Sequence, residues 1–187
     1  MTSAGLKGKL LVASPTLRDP NFYRSVILVL EHSGEGALGL VLNRPSETAV
    51  TEPLPGWGQL SADPPVVFVG GPVQPNAAIC LARLGAEAAG EGIGWNPLGA
   101  GLGTLDLDRD PDEVAPHVES VRIFAGYAGW APGQVEGEMG QRAWLVVDAD
   151  PGDPMTSDPL TLWKAVLRRQ GGERAVLAGY PDNPSLN

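Results

Sequence analysis

Residues 121–138 read VRIFAGYAGWAPGQVEGE, and this stretch carries the strongest structural signal in a chain of 187 residues. Its apolar first part predicts a buried strand, and two large aromatic residues, Tyr127 and Trp130, follow at once among glycines. Glycine lets the backbone adopt positive φ or approach another chain closely, and the polar atoms of Tyr and Trp usually need hydrogen-bond partners. The pattern therefore predicts a rigid, shaped loop that opens a short helix, and it does not resemble a catalytic constellation.

Short apolar runs separated by turn residues continue on both sides of this stretch and indicate a mainly β fold. Residues 25–32 and 37–43 are two such runs joined by a tight connection, which predicts a hairpin. Further strands are predicted at 9–13, 65–70, 79–84, 104–107 and 143–147. Residues 45–65 are predicted to be a polar excursion with one helical turn, and the glycine-rich residues 85–103 an exposed loop or irregular hairpin.

Helical signals are fewer than strand signals. Residues 159–170 predict the clearest helix, because Asp158 can cap its first turn and Gly171 can end it. A shorter helix is predicted at 111–118, where a proline follows an aspartate. The chain from Glu173 onwards is predicted to be loop. The whole pattern indicates a mainly β domain with two or three helices.

The composition fits one globular domain. Hydrophobic residues make up 43% of the chain, and 25 glycines with 18 prolines indicate many tight turns. The length predicts a single domain, 1–187, with a core at about residues 6–170 and a C-terminal tail at 171–187. The longest apolar run, residues 26–30, is too short to cross a bilayer, and the N-terminus lacks the apolar run of a signal peptide. We therefore expect a cytoplasmic protein with no membrane association.

The charge of the chain argues against direct binding to nucleic acid. The formal net charge is −9, and only 13 lysines and arginines are present, scattered along the sequence. Nucleic-acid binding draws most of its affinity from Lys and Arg side chains that neutralise phosphates. The acidic balance instead favours a role in keeping the protein in solution.

Motifs for metal, cofactor and nucleophile chemistry are missing from the sequence. Two aspartate clusters lack the EF-hand spacing and are predicted to be solvated loops: Asp106, Asp108 and Asp110, and Asp148, Asp150 and Asp153. The single cysteine, Cys80, lies in an apolar run and is predicted to be a core residue. The glycines at 99–103 precede a predicted strand instead of joining a strand to a helix, so they predict a loop and no dinucleotide cradle. We expect no cofactor and no metal.

Polar and aromatic residues at the predicted strand ends form the candidate surface for a ligand or a protein partner: Arg44, Tyr127, Trp130, Gln134, Glu136, Glu31 and His32. If these strand ends meet at one edge of the sheet, an arginine, a tryptophan and a glutamate would form a small-molecule or peptide pocket. Two alternatives stay open. In one, Arg44 and Glu136 pair to pin the loops while Trp130 packs in the core. In the other, Glu31, His32 or Glu136 transfers protons in an enzyme.

Several motifs together resemble the AlgH/YqgE family of bacterial proteins. They follow the family's order from about residue 6 to residue 170 and comprise LLVASP at 10–15, DPNF at 19–22, RSVI at 24–27, EH at 31–32, GALGLVLNRP at 36–45, VGGPV at 69–73, GYAGW at 126–130, PGQVE at 132–136, WLVV at 144–147 and DP at 158–159. The GYAGW segment is the most specific of them.

The resemblance implies a single α/β domain of the mixed α+β kind. Its sheet would be mixed but largely antiparallel, partly closed as a barrel and flanked by a few helices. The family brings no enzymatic activity, cofactor or catalytic residue, and one member carries the label of a transcriptional regulator of alginate synthesis. Since this chain is acidic and lacks a helix-turn-helix signature, such a role would act through an unknown protein partner or small ligand.

We therefore expect a regulatory or binding protein without enzymatic activity. The alternative is an enzyme or small-molecule-binding protein with a site around Arg44, Trp130 and Glu136.

Overall fold

The computed structural model describes residues 5–85 and 93–181, and this part of the chain contains ten strands and four short helices. The strands are β1 (Leu10–Ala13), β2 (Val26–Ser33), β3 (Gly36–Val41), β4 (Pro45–Ala49), β5 (Val66–Val69), β6 (Val73–Leu84), β7 (Trp95–Gly99), β8 (Leu102–Leu105), β9 (Val118–Trp130) and β10 (Trp144–Val147). The helices are α1 (Pro111–Val114), α2 (Gln134–Gly140), α3 (Leu162–Gln170) and α4 (Gly172–Leu177).

The long strand β9 organises a curled sheet with the strand order β10-β1-β2-β3-β9-β6-β8-β7. Its last residues pair antiparallel with β3, where Trp130 lies opposite Ala37, and most of its length pairs antiparallel with β6. Around Phe124 it also pairs with β5, and this pairing is parallel. Because one strand of 13 residues serves three neighbours, the sheet curls into a half-barrel. The expected mixed, largely antiparallel α+β domain is confirmed.

Two core clusters lie on opposite faces of the sheet, as the period of two along a strand requires. In β1, Leu10 and Val12 belong to the first cluster, whereas Leu11 and Ala13 belong to the second. A third cluster lies between β6, β8 and α1 and includes Cys80, which is 1% exposed. Burial raises the pKa of the Cys80 thiol, so the cysteine behaves as the predicted core residue.

Helix α3 covers the first core cluster. Its buried Trp163 donates a hydrogen bond from Nε1 to the carbonyl of Ala13 at 2.8 Å, and the helix ends at Gly171, whose φ is 69°. Two details differ from the prediction. The Asp158 side chain makes no capping hydrogen bond. Residues 159–161, predicted to be the first helical residues, form a 3-10 turn before α3, in which Leu160 is 78% exposed. Among the helices of residues 5–85 and 93–181, none is long and apolar enough to span a bilayer.

The GYAGW motif is the end of β9, which corrects the predicted loop. Glycine here permits close packing of strands rather than a turn. Gly126 has a φ of 75°, and a Cβ atom on it would lie 2.5 Å from the carbonyl oxygen of Gly71. The connection between β5 and β6 therefore presses directly against the start of the motif. The short helix predicted to follow is confirmed as α2.

Other corrections concern segments whose sequences carry turn signals. Strand β4 lies within the predicted excursion, β6 begins at Val73 instead of residue 79, and α4 occupies part of the predicted loop-like tail. Residues 95–105 need no correction: β7 and β8 form a hairpin there, one of the two forms predicted for this glycine-rich segment. Its two turn residues, Ala100 and Gly101, have φ values of 55° and 77°, as in a type I′ turn. The rest of the predicted loop, residues 86–92, lies outside the described residues.

Candidate functional site

A groove of about 510 Å³ opens at the turn end of the β2–β3 hairpin, where β9 also ends. We call it the hairpin groove. Its lining comprises Lys7, Glu31, His32, Ser33, Glu35, Gly36, Ala37, Leu38 and Trp130. Lys7, Glu31 and Glu35 are exposed, so two carboxylates and one ammonium group face whatever enters the groove. Of the predicted site residues, this groove brings Glu31, His32 and Trp130 together.

The imidazole of His32 is held by hydrogen bonds at both nitrogens, and its side chain is only 6% exposed. The backbone N–H of Leu6 donates to Nδ1 at 3.1 Å, so Nδ1 acts as the acceptor. The ring proton therefore lies on Nε2, which contacts Oε1 of Glu136 at 2.5 Å. This arrangement fixes one neutral tautomer, and it leaves His32 with no nitrogen available to act as a general base.

Glu136 lies on α2 and faces the same site with a side chain that is 44% exposed. The hydrogen bond from His32 lowers the pKa of this carboxyl below its ordinary value. Ser33 takes no part in the pair, because its Oγ accepts the backbone N–H of Glu35 at 3.1 Å. The Ser-His adjacency in the sequence therefore does not produce an activated nucleophile.

Trp130 forms part of the fold as well as the groove wall, since only 6% of it is exposed. Its Nε1 donates to Oε1 of Glu138 at 3.0 Å, and Nε1 of Trp144 donates to the same oxygen at 3.1 Å. Gln134 adds a contact at 3.3 Å to the other oxygen of Glu138, and its own oxygen accepts the N–H of Ala131. Gln134 and Glu138 thus fasten α2 to the end of β9.

Glu138 is the residue that the sequence prediction missed. The signal was present in the sequence. Two tryptophans in apolar segments need acceptors for their N–H groups, and a carboxylate four residues after Gln134 lies on the same face of a helix. An aromatic cluster completes the arrangement, with the Phe22 ring centroid 6.3 Å from that of Trp130 and 5.7 Å from that of Trp144. The motif therefore has a clear structural role.

Arg44 and Tyr127 lie away from the hairpin groove. Arg44 follows the far end of β3 and donates to the carbonyls of Pro20 and Tyr23, at 3.0 Å in both cases. Tyr127 packs against the first core cluster, on the face of β9 opposite Trp130. The structure therefore assembles neither the pocket of Arg44, Trp130 and Glu136 nor an ion pair between Arg44 and Glu136. Burial lowers the pKa of Arg44, an effect partly opposed by Asp19.

A buried arginine, Arg122, was not singled out from the sequence either. It is 1% exposed, and its guanidinium lies 4.3 Å from the centre of the Phe68 ring. It donates hydrogen bonds to four carbonyls, those of Ala62, Asp63, Pro154 and Thr156, at 2.6–3.0 Å. Burial lowers its pKa to about 10, and Asp63 opposes that shift, so it stays charged at neutral pH. Arg122 ties two loops to β9 and does not line the hairpin groove.

In the part of the chain that the structure describes, aspartates of both clusters make hydrogen bonds or ion pairs that hold the fold together. Asp110 caps α1 by accepting the N–H of Asp112 at 2.9 Å, and Asp153 accepts two hydrogen bonds from Arg169. Asp148 pairs with Lys9, which lowers the pKa of its carboxyl. Within residues 5–85 and 93–181, no group of three or more His, Cys, Asp or Glu side chains is arranged to hold a metal ion.

Similar proteins match this chain over nearly its whole length, which includes the hairpin groove. A family model described as AlgH-like matches residues 10–175. A Streptomyces avermitilis protein named "UPF0301 protein" is 49% identical over 186 residues, which is 98% of this chain and 96% of the relative. A Thermobifida fusca protein of the same name is 47% identical over 196 residues, covering 100% of this chain and 98% of the relative.

Two solved structures share the fold. The crystal structure of protein DIP2367 from Corynebacterium diphtheriae has a TM-score of 0.90 at 30% sequence identity, covering 96% of this chain and 94% of that one. The solution structure of the AlgH protein from Pseudomonas aeruginosa has a TM-score of 0.69, also at 30% identity, covering 98% of this chain and 100% of that one. The curled sheet that forms the hairpin groove is therefore shared well beyond close relatives.

Proposed function

The chain belongs to the AlgH-like family, and from that premise and the site geometry we propose that it is a binding protein that works through a ligand or protein partner rather than through catalysis. The observation that carries the proposal is the open hairpin groove of about 510 Å³, whose one titratable imidazole is locked on both sides. A groove with fixed walls, in which both imidazole nitrogens are already hydrogen-bonded, is suited to recognition.

The charge around the groove indicates the chemistry of what binds. Glu31 and Glu35 line it, Glu136 borders it on α2, and Lys7 is the one cation in its described lining. The whole chain adds a net charge of −9, which favours the approach of positively charged molecules. We propose a cationic partner, namely a basic segment of another protein. The apolar methylene groups of its lysine and arginine side chains would lie on Leu38 and on the exposed part of Trp130.

A regulatory role follows from this proposal if the basic segment belongs to a protein that controls transcription. The name of the Pseudomonas aeruginosa relative, AlgH, and the family's regulator label motivate this step. We propose a cytoplasmic location as part of the same role. The acidic charge makes action through a protein partner easier to support than direct contact with DNA.

The enzyme alternative has less support. Its site needs Arg44 beside Trp130 and Glu136. Instead, Arg44 lies beyond the other end of β3 and donates hydrogen bonds to the carbonyls of Pro20 and Tyr23. Proton transfer by His32 would require breaking a hydrogen bond at one of its nitrogens. Glu31 is an exposed carboxylate at the groove.

The test uses a fluorescein-labelled peptide of alternating lysine and glycine and measures its anisotropy against the purified protein. Replacing Glu31 and Glu35 with glutamine should weaken binding by about tenfold, equivalent to about 1.4 kcal/mol. The matched control replaces Glu52 and Glu113, which are exposed elsewhere, and changes the net charge by the same amount.

An equal loss of affinity in both double variants would mean that the peptide senses only the net charge, and it would contradict a specific groove. Failure of the wild-type protein to bind the peptide at low salt would contradict the proposal altogether. Trp130→Ala and Arg44→Ala are poor test variants, because both side chains also hold the fold.

A further inference from the structure

A second groove, of about 370 Å³, lies on the outer face of the β4-β5-β9-β6 region. We call it the apolar groove. Along β5 and β9 the side chains alternate: Phe68 and Phe124 point into the first core cluster, so Val69 and Ala125 point the other way and line the groove. Val69 is 46% exposed, which is unusual for a valine in the middle of a sheet.

Small side chains create the groove. Ala78 of β6 lies directly opposite Ala125 of β9, and both line the floor. A sheet face that packs on another element normally carries larger β-branched or aromatic residues, and a solvated face carries polar ones. Alanine at two paired positions leaves a depression with an apolar floor instead. Leu54, in the turn after β4, contributes to the wall.

The polar groups of this groove are neutral and available. Ser46, Thr48 and Asn76 are its polar lining residues, and no charged side chain of the described chain lines it. Within residues 5–85 and 93–181, the hydroxyl of Thr48 and the amide of Asn76 make no hydrogen bond to protein atoms, whereas Ser46 Oγ accepts the N–H of Thr48 at 3.2 Å. An apolar floor with a few neutral donors and acceptors is the usual form of a small-molecule site.

We propose that the apolar groove binds an uncharged small molecule with a flat apolar body and one polar edge, such as a neutral heteroaromatic compound. The floor of Val69, Ala78 and Ala125 would contact the flat body, and Thr48 and Asn76 would orient the polar edge. Twelve of the residues that the structure describes line the groove, whereas a stable protein interface uses about 20–30 residues a side. The size of the groove therefore favours a small molecule over a second copy of the chain.

The experiment uses N-phenyl-1-naphthylamine, an uncharged aromatic amine whose fluorescence rises in apolar surroundings, with the whole chain. Ala78→Trp places an indole on the groove floor and should weaken binding of this probe at least tenfold. Leu160→Trp is the matched control, since Leu160 is 78% exposed and does not line the groove; it should leave the affinity unchanged. Thr48→Val, which replaces the hydroxyl with a methyl group of similar size, should weaken binding by about threefold to tenfold.

A second measurement does not depend on any variant folding. Addition of the probe to the wild-type protein should shift the backbone amide NMR signals of Val69, Ala78 and Ala125 and leave those of Glu31 and Glu35 in place. Equal probe binding by Ala78→Trp and Leu160→Trp, or amide shifts outside this groove, would overturn the proposal. It would also be overturned if the wild type bound no probe but self-associated in sedimentation velocity and Ala78→Trp abolished the self-association, because a second copy would then occupy the groove.

Discussion

The carboxylate of Glu138 accepts hydrogen bonds from two buried indoles. Glu138 is therefore the residue at which the aromatic motif is most sensitive to a single substitution. Glu138→Ala leaves the N–H groups of Trp130 and Trp144 without an acceptor, and the two tryptophans are 6% and 4% exposed. Each unsatisfied buried N–H costs roughly 1–3 kcal/mol. We expect a loss of about 2–4 kcal/mol in the free energy of unfolding, measured by urea denaturation.

Two companion variants separate the acceptor from the charge. Glu138→Gln keeps one carbonyl oxygen near both indoles, so its loss of stability should be less than half that of Glu138→Ala. Glu136→Ala removes a neighbouring carboxylate that is 44% exposed and should have a much smaller effect. Equal stability of Glu138→Ala and the wild type would show that the indole N–H groups find other acceptors.

The contact between His32 and Glu136 predicts a definite dependence of stability on pH. The pKa of Glu136 lies below its ordinary value of 4.5 because His32 hydrogen-bonds to it. A carboxyl with a lowered folded-state pKa stabilises the fold fully above its unfolded pKa and loses that contribution as the pH falls through the folded value. The stability that Glu136 contributes relative to Glu136→Gln should therefore be present above about pH 5 and shrink as the pH falls below 4.5.

Urea denaturation of both proteins across this pH range gives the measurement. Because Glu136 is well exposed, the difference will be small, and its pH profile rather than its size is the informative quantity. A difference that grows as the pH falls would show that the sign of the pKa shift is wrong.

At the scale of elements, the structural role of Gly126, the first glycine of GYAGW, can be tested with Gly133, outside the motif, as its matched control. Gly126 and Gly133 have nearly equal φ values, 75° and 76°. A Cβ atom at Gly126 would lie 2.5 Å from the Gly71 carbonyl oxygen, whereas a Cβ atom at Gly133 would meet nothing within 4 Å. Gly133→Ala should cost about 1–2 kcal/mol from backbone strain alone, and Gly126→Ala at least about 3 kcal/mol because the strands must also separate.

Thermal unfolding of the two variants decides the point. The larger loss at Gly126 would show that its glycine is required for the close approach of β9 to the β5–β6 connection. Equal losses would mean that this connection gives way easily and that φ alone explains the glycine.

Sequence patterns predicted the elements that bury apolar side chains and missed those that do not. β2, β3 and α3 have continuous or periodic apolar residues, so they were predicted correctly. β4 reads PSETA and lies at an edge, where no burial pattern marks it as a strand. β7 contains a proline and a glycine, both of which normally signal loops. Hydrogen-bonded pairing, which local sequence does not show, makes these segments strands.

The candidate site was predictable in part for a topological reason. Ser33 pairs with Gly36 at the hairpin turn, and Ile27 pairs with Val41 at the other end. Residues just before the turn therefore meet the end of β9, as His32 and Trp130 do. Arg44 continues past Val41 and must lie beside the chain that leads into β2. The register of the hairpin alone could have predicted that Arg44 lies far from His32. The packing of α2, which brings Glu136 to His32, has no signal in the local sequence.

Over the whole molecule, the outer strands at the two ends of the order β10 to β7 are protected against pairing with another chain. In the outer strand β10, the carbonyl of Val146 accepts a hydrogen bond from Arg174 at 3.1 Å. The other outer strand, β7, carries Pro97, which has no N–H to donate. Open edge strands invite pairing with other chains. Protection of β10 and β7 disfavours strand addition at these two strands and favours recognition through the grooves.

The same whole-molecule view predicts that the purified chain does not bind DNA directly. The net charge is −9, and at least six of the ten arginines already donate to groups inside the molecule: Arg24, Arg44, Arg83, Arg122, Arg169 and Arg174. Few guanidinium groups are left to neutralise phosphates, which supply most of the affinity for DNA. Electrophoretic mobility shift at low salt should show no complex with duplex DNA. A complex that dissociates steeply as salt rises would contradict this prediction, because it would require a local basic surface that outweighs the repulsion of the rest of the molecule.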